Sequence, residues 1–188
     1  MDNLFDLTEE QRNIIDRIKG YSIFVMTKYP KSRKKLKVKI LQSKNYETYL
    51  KLFDNDDYID KILGHLEDIG IINDHILTMG RVRNRFSSGW GFNKILINVP
   101  NTLGVSVDEV KNCIEILKEE SININSDGCE TDVEIDSILK YLRIRVKGDD
   151  LTDHKSKQRL YRRLLSRGFS YDKINKSIDL FKNENKGR

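Results

Sequence analysis

Two cysteines, two prolines, one tryptophan and three histidines are all that the 188 residues hold of those types, and each scarcity closes off a class of protein. Cys113 and Cys129 are too few for a disulfide framework and too far apart for a metal knuckle, which fits a reducing compartment. Two prolines and eleven glycines are few for a turn-rich all-β fold. His65, His75 and His154 are dispersed, and none has a second His or Cys at ligand spacing along the chain, so surface or capping positions are expected and neither metal nor cofactor is. No Gly-rich loop ends in Lys-Ser or Lys-Thr, and there is no nucleophile elbow and no His-Glu-x-x-His helix, so the expectation is a protein that is not an enzyme. No apolar stretch approaches a membrane span, and the acidic start at Asp2, Asp6, Glu9 and Glu10 is unlike a secretory leader. A cytoplasmic protein without membrane contact is expected.

What the chain does have is charge and periodicity. Charged residues make up 34%, hydrophobic ones 38%, and the mean hydropathy is −0.58. The apolar residues recur at regular spacing, so the polarity belongs to thin helical layers and not to disorder. The length suits one elongated domain or several small units sharing interfaces. A net charge of +5 and a pI near 9.1 point to an anionic partner, nucleic acid or an acidic protein surface. The balance is uneven: residues 155–188 hold eleven Lys and Arg against three Asp and Glu, which makes the C-terminal helices the stronger electrostatic contact.

Caps and stripes place the helices. Thr8 with Gln11 forms a capping box ahead of Ile14, Ile18, Tyr21 and Val25, and Pro30 follows the end of that helix. Ser32 caps a second helix through Leu36 and Ile40; the stretch from Lys44 to Asn55 reads as a loop; Asp56 or Asp57 opens a third through Ile59, Ile62, Leu63 and Leu66. Asn73 and Asp74 cap a fourth through Met79, Val82 and Phe86, and Gly89-Trp90-Gly91 turns into a fifth with Ile95 and Val99, which Pro100 is expected to break early. Ser106 with Glu109 starts a sixth, and Thr131 with Glu134 a seventh running to Gly148, after a polar linker over Ser121 to Gly128. Leu160 and Leu164 mark an eighth; Ser170 caps a ninth through Ile174, Ile178 and Phe181, before a frayed tail from Asn183 to Arg188.

Three of these helices repeat. Asp57, Ile59, Ile62, Leu63 and Leu66 align without gaps with Asp108, Val110, Cys113, Ile114 and Leu117 and with Asp172, Ile174, Ser177, Ile178 and Phe181, so Cys113 reads as a small core residue and not as a reactive thiol. The later two copies share a lead-in, Gly104-Val105-Ser106 and Gly168-Phe169-Ser170. The helices before them repeat too, with Lys35-Leu36, Lys94-Ile95 and Arg159-Leu160 at equivalent places. Self-similarity of this kind means stacked modules with a shared core. The expected fold is all-α, three tandem three-helix repeats over residues 1–72, 73–125 and 126–188.

From about Ile18 to Phe181 the chain resembles the RecX family. The residues that carry the resemblance are Asp57-Tyr58-Ile59 through Leu66, Gly70-Ile71-Ile72-Asn73-Asp74, Arg81, Arg83 and Arg85, Gly89-Trp90-Gly91 and Lys94-Ile95, then the closing run from Arg159 to Phe169, with Ser32, Lys35-Leu36 and Lys39 in the first repeat. The resemblance implies an elongated, curved array that lies in the groove of a RecA filament on single-stranded DNA and opposes filament extension, ATP turnover and strand exchange. A monomer is expected, with weak direct DNA binding as a further property. One departure is that the spacing from Val99 to Gly104 is a residue longer than from Leu164 to Gly168, with Pro100 at the extra residue.

The contact candidates are Lys35, Arg81, Arg85, Lys94, Arg159, Arg162, Arg163 and Arg167, whose charged forks suit phosphates and carboxylates. Trp90 is an aromatic candidate that could stack on a base, although packing between units is the plainer reading. A charge row is usually just a solvated face, but four arginines between Arg159 and Arg167 exceed what solubility needs. Two rival functions are a direct DNA-binding helix-turn-helix regulator and a protein-interaction adaptor. Against the former, no helix concentrates Arg, Asn and Gln at its N-terminal turns.

Overall fold

The computed structural model describes residues 7–121, 132–146 and 153–186, apart from the side chains of residues 185 and 186. Among the described residues every regular element is an α-helix: α1 (Glu9–Lys28), α2 (Arg33–Leu41), α3 (Lys44–Tyr49), α4 (Asp57–Asp68), α5 (Asp74–Ser87), α6 (Phe92–Leu103), α7 (Val107–Glu120), α8 (Val133–Arg145), α9 (His154–Ser166) and α10 (Tyr171–Lys186). None is long and apolar enough to cross a membrane. The chain forms two compact units, Met1–Leu77 with Leu103–Val105, and Thr78–Thr102 with Ser106–Arg188.

In the first unit α1 packs on α2, α3 and α4. The stripe of Ile14, Ile18 and Val25 buries against Leu36, Ile40, Ile59, Leu63 and Leu66. Thr8 and Gln11 close the capping box. Lys44 to Asn55 is not simply a loop. Its first half is α3, whose Tyr46 and Tyr49 continue into Phe53 and Tyr58 as a run of ring contacts. Tyr49 is fully buried, donates its hydroxyl to the Asn55 carbonyl at 2.7 Å, and has its phenol pushed up to about 12, chiefly by burial. Six residues with two apolar positions give too short a periodic signal for the helix to be read from sequence. Asp56 is the residue before α4 but makes no side-chain cap; its carboxylate accepts from the Tyr46 hydroxyl at 3.0 Å, and Asn55 accepts from the Asp57 N–H at 3.0 Å instead.

In the second unit α8 and α10 pack face to face with α9 alongside, burying Ile138, Leu142, Leu164, Phe169, Ile174 and Ile178. Cys113 is fully buried on α7, and desolvation, with Glu109 adding to it, pushes its thiol up to about 11. Four expectations are corrected. Pro100 does not end α6, which runs on to Leu103. Proline removes one hydrogen bond, but its fixed φ is helical; buried Val99 and Leu103 hold the last turn, and Asn101 and Thr102 add side-chain bonds to the carbonyls of Ile97 and Asn98, each at 2.8 Å. The N-cap of α8 is Asp132, not Thr131, accepting from the Glu134 N–H at 2.9 Å; Thr131 lies outside the described residues. That helix ends at Arg145, while Gly148 and the linker beyond Ser121 also lie outside them. The stretch from Asn183 continues α10 to Lys186, where Glu184 pairs with Arg143 at 2.7 Å.

Each unit contains the same kind of junction. In the first, the Ser32 hydroxyl at the head of α2 donates to the Leu103 carbonyl, and the Asp74 carboxylate accepts from the Arg33 N–H at 2.8 Å. In the second, at the head of α6, the Gly91 N–H donates to the Arg167 carbonyl at 2.8 Å, and Glu134 accepts from the Phe92 N–H at 2.7 Å. A helix start, with its unpaired N–H groups and positive dipole end, thus receives backbone carbonyls from the end of a later helix and one carboxylate. Glu134 is 5% exposed, and Lys173 neutralises it at 2.7 Å while bridging to Asp132 at 2.8 Å. Burial works against the charge on Asp132, but the bonds from Lys173 and from backbone N–H groups outweigh it, so the carboxyl sits below its usual value. Lys173 is likewise opposed by burial and held above its usual value by the two carboxylates.

The second junction is backbone against backbone. A Cβ on Gly91 would stand 2.5 Å from the Gly168 carbonyl, and one on Gly168, at φ +92°, 2.4 Å from the Lys94 Cβ. Glycine is required at both places by the close approach itself.

Candidate functional site

The eight cations expected to face a partner separate into those bound within a unit and those turned to solvent. Lys35 lies on the first turn of α2, where its Cγ and Cε would be 3.5 Å from a Cβ on Gly104. Lys94 occupies the matching place on α6 and donates to the Ser166 carbonyl at 3.0 Å. Its ammonium and the Arg85 guanidinium both lie over the Trp90 ring, 4.4 and 4.5 Å from the centroid. Arg85 has a buried Nε without a hydrogen-bond partner among the described residues. Arg167 donates to the Gly89 carbonyl at 3.2 Å and lies over the Tyr141 ring at 5.0 Å. Trp90 is half-buried, with two cations claiming its ring, which leaves less of it open to a base. Arg81 is also half-buried.

Arg159, Arg162 and Arg163 differ, all being exposed on α9. The helix is strongly two-sided: Leu164 is buried, and the opposite face carries the arginines. Its start is capped internally, the Asp153 carboxylate accepting from the Ser156 N–H at 2.9 Å, a bond that holds the acid below its usual value.

Arg159 and Arg163, but not Arg162, border an open cavity of about 150 Å³ between α8 and α9, lined also by Tyr141, Arg145, Val146, Ser156 and Leu160. Arg163 donates to the Tyr141 hydroxyl at 3.1 Å, and that bond raises its guanidinium further above the usual value. Among the described residues none of Arg145, Arg159 and Arg163 forms an ion pair. Arginine stays charged near neutrality, so the arrangement suits an anion. Tyr141 and Arg145 are absent from the sequence-based candidates. Arg145 stands in the last turn of α8 beside Arg143 and reads in the sequence as a dipole-complementing cation; the fold places it on the same cavity as Arg159.

Residues 135–178 match the family described as RecX, third three-helix domain. The chain is similar in structure to RecX from Lactobacillus salivarius, with a TM-score of 0.68, 17% sequence identity, and coverage of 90% of this chain and 97% of that one. No curated protein sequence matches.

Proposed function

We propose, from the premise that this chain belongs to the RecX family, that it binds RecA filaments on single-stranded DNA and restrains their extension, ATP turnover and strand exchange. RecA regulation in general comes with the family, which is regulatory and non-enzymatic; the inhibitory direction is the finer reading. The observation that carries it is the family match over residues 135–178 falling on the helix that exposes Arg159, Arg162 and Arg163. Arginines exposed on one helix, and in no ion pair among the described residues, suit a surface of phosphates and carboxylates, and distributed contacts of this kind need no catalytic group. The chain acts in the cytoplasm as a monomer whose repeats span residues 1–72, 73–125 and 126–188. The α9 arginines make the principal contact and Lys35 and Arg81 extend it along the repeats, while Arg85, Lys94, Arg167 and Trp90, engaged within the protein, support that surface from behind.

The test is RecA ATPase on single-stranded DNA with increasing amounts of the protein, together with co-sedimentation on preassembled filaments. Dose-dependent slowing with filament binding is expected; binding without slowing would remove the inhibitory direction, and no binding would remove the function.

A further inference from the structure

We infer that the cavity between α8 and α9 is a site for a phosphate group, held by Arg145, Arg159 and Arg163 with Tyr141 at its wall. The filament reading supplies the biological setting for this site, but the chemistry stands on the cavity. First, three guanidinium-bearing residues border one small cavity and, among the described residues, no acidic side chain lines it, whereas three other surface arginines each hold a carboxylate: Arg33 that of Glu67 at 3.1 Å, Arg83 that of Glu120 at 2.7 Å, Arg143 that of Glu184 at 2.7 Å. Asp153, at the head of α9, interacts electrostatically with Arg159, which leaves three positive charges against one carboxylate, an excess that favours an anion of more than one charge. A carboxylate would leave most of that charge unmatched.

Second, the volume of about 150 Å³ is well below the roughly 300–1,000 Å³ of whole small-molecule pockets. It admits a tetrahedral oxyanion with water, leaving a base or sugar outside. Third, the walls are prepared: Arg163 is bonded to Tyr141, Tyr141 is covered by Arg167, and Ser156 is fixed by its N–H to Asp153. Arg163 is thereby held at the wall before an anion arrives, which leaves less ordering for binding to supply.

Repeat equivalence gives a separate reason. Arg159 stands where Lys35 and Lys94 stand in the earlier repeats. Lys94 is spent on the Ser166 carbonyl, so the chain already uses this position to bind oxygen. Among the described residues no carbonyl is bonded by Arg159, and the cavity lies beside it.

The phosphate could belong to a phosphodiester backbone or be a terminal phosphate, and the probes separate the two. Full-length protein is titrated calorimetrically with inorganic pyrophosphate, with oligo-dT, and with 5′-phosphorylated oligo-dT, in wild type, Arg145→Met, Arg163→Met and Lys140→Met, with thermal melts to show that each folds. Lys140 is an exposed cation on α8 outside the cavity. Loss of one charge-assisted contact should weaken binding about tenfold in both arginine variants and leave Lys140→Met close to wild type. Unphosphorylated oligo-dT showing the same pattern identifies backbone phosphate; pyrophosphate and 5′-phosphorylated strands alone showing it identify a terminal one.

Absence of binding to wild type overturns the proposal. So does equal weakening in Lys140→Met, which would be charge alone, or preference for a glutamate-rich peptide over all phosphate probes. RecA ATPase measured on the same variants keeps the readings apart: an Arg145→Met protein that loses phosphate but still slows RecA leaves the filament function standing. Wild type that binds phosphate but leaves RecA unaffected leaves only the site.

Discussion

Arg85 with Lys94 and Arg145 with Arg159 hold matching places in successive repeats, yet the first pair faces inward and the second faces water. The register is fixed by the carboxylates that close the preceding junctions, Asp74 and Glu134, and by the buried Val82 and Leu142, which stand at the same offset along the chain. Around Trp90 both cations are engaged with the indole, and Lys94 with a carbonyl as well. Around Tyr141 the cations border an open cavity. Similar residue types at equivalent positions therefore stabilise in one repeat and are available for binding in the next. What decides is whether another piece of backbone arrives: the end of α9 docks on the head of α6, while α9 itself is capped by its own Asp153.

The comparison breaks most severely at the docking itself. Gly168→Ala places a methyl against the Lys94 backbone and forces a non-glycine residue to φ +92°. Left-handed backbone alone costs roughly 1–2 kcal/mol, and with the clash a loss of about 3 kcal/mol or more is expected. Gly104→Ala also meets a positive φ, but only the flexible Lys34 and Lys35 chains lie near, at 3.5 Å or beyond, so it should lose about 1–2 kcal/mol. Urea unfolding of both measures the difference; equal losses would mean that the Gly168 junction relaxes freely.

Lys173→Met comes next, because it strands the buried Glu134 carboxylate. Full burial of an unpaired charge costs about 3–5 kcal/mol; with Lys173 27% exposed, about 2 kcal/mol is expected. The pH dependence has a definite sign. The lowered Asp132 carboxyl contributes stability present above its ordinary value of about 4 and lost as pH falls through its folded value. The raised Lys173 contributes stability present below about 10.4 and lost as pH rises through its folded value. Urea midpoints across pH should flatten at both ends in the variant; an unchanged profile would take this network out of the junction.

Much of this is legible in the amino-acid sequence. The stripes of Ile14, Ile18 and Val25, the gapless alignment of α4, α7 and α10, the caps at Thr8, Ser32 and Ser106, and the burial of Cys113 all follow from local rules acting at helical spacing. The family resemblance was legible too, in the closing run from Arg159. What could not be read was long-range: that Lys94 spends its charge on Ser166, that Glu134 leaves its own capping box to serve the start of α6, or that Arg145 and Arg159 line one cavity. Each depends on a contact between residues far apart in sequence, which composition and periodicity do not encode. α3 was missed for the opposite reason, its signal being local but too short, and Pro100 because buried neighbours outweighed its propensity.

Charge reversal sharpens the contrast at smaller structural cost. Arg159, Arg162 and Arg163 changed together to Glu should leave the melting temperature within a few degrees, since exposed substitutions usually lie within about 0.5 kcal/mol each. Inhibition of RecA ATPase and filament binding should be lost. If phosphates are the direct partners, wild type binds naked DNA with a steep salt dependence that flattens in the variant; if acidic protein surfaces are, naked-DNA binding is weak and filament binding still falls. A folded variant that inhibits as well as wild type would move the principal contact away from α9.

Lys94→Met is the smallest effect and the finest discriminator, because it asks whether the inward-facing pair can be weakened without touching function. The substitution keeps the stem that packs beside Gly168 but removes the ammonium from the Trp90 ring and from the Ser166 carbonyl. A hydrogen bond from a charged donor is worth about 1.5–3 kcal/mol when buried, and a half-exposed cation over an indole about 0.5–1 kcal/mol. Both are screened here by water, so a net loss of about 1 kcal/mol is expected. Trp90 is the only tryptophan in the chain, so its fluorescence reports the ring directly: emission should shift while the helical circular dichroism stays constant. RecA inhibition should persist at saturating protein, in contrast to the α9 reversal. A Lys94→Met protein that folds, keeps its Trp90 emission and loses inhibition would show the opposite division of labour, with the lysine reaching outward to the filament and the cavity beside Arg159 left as the structural element.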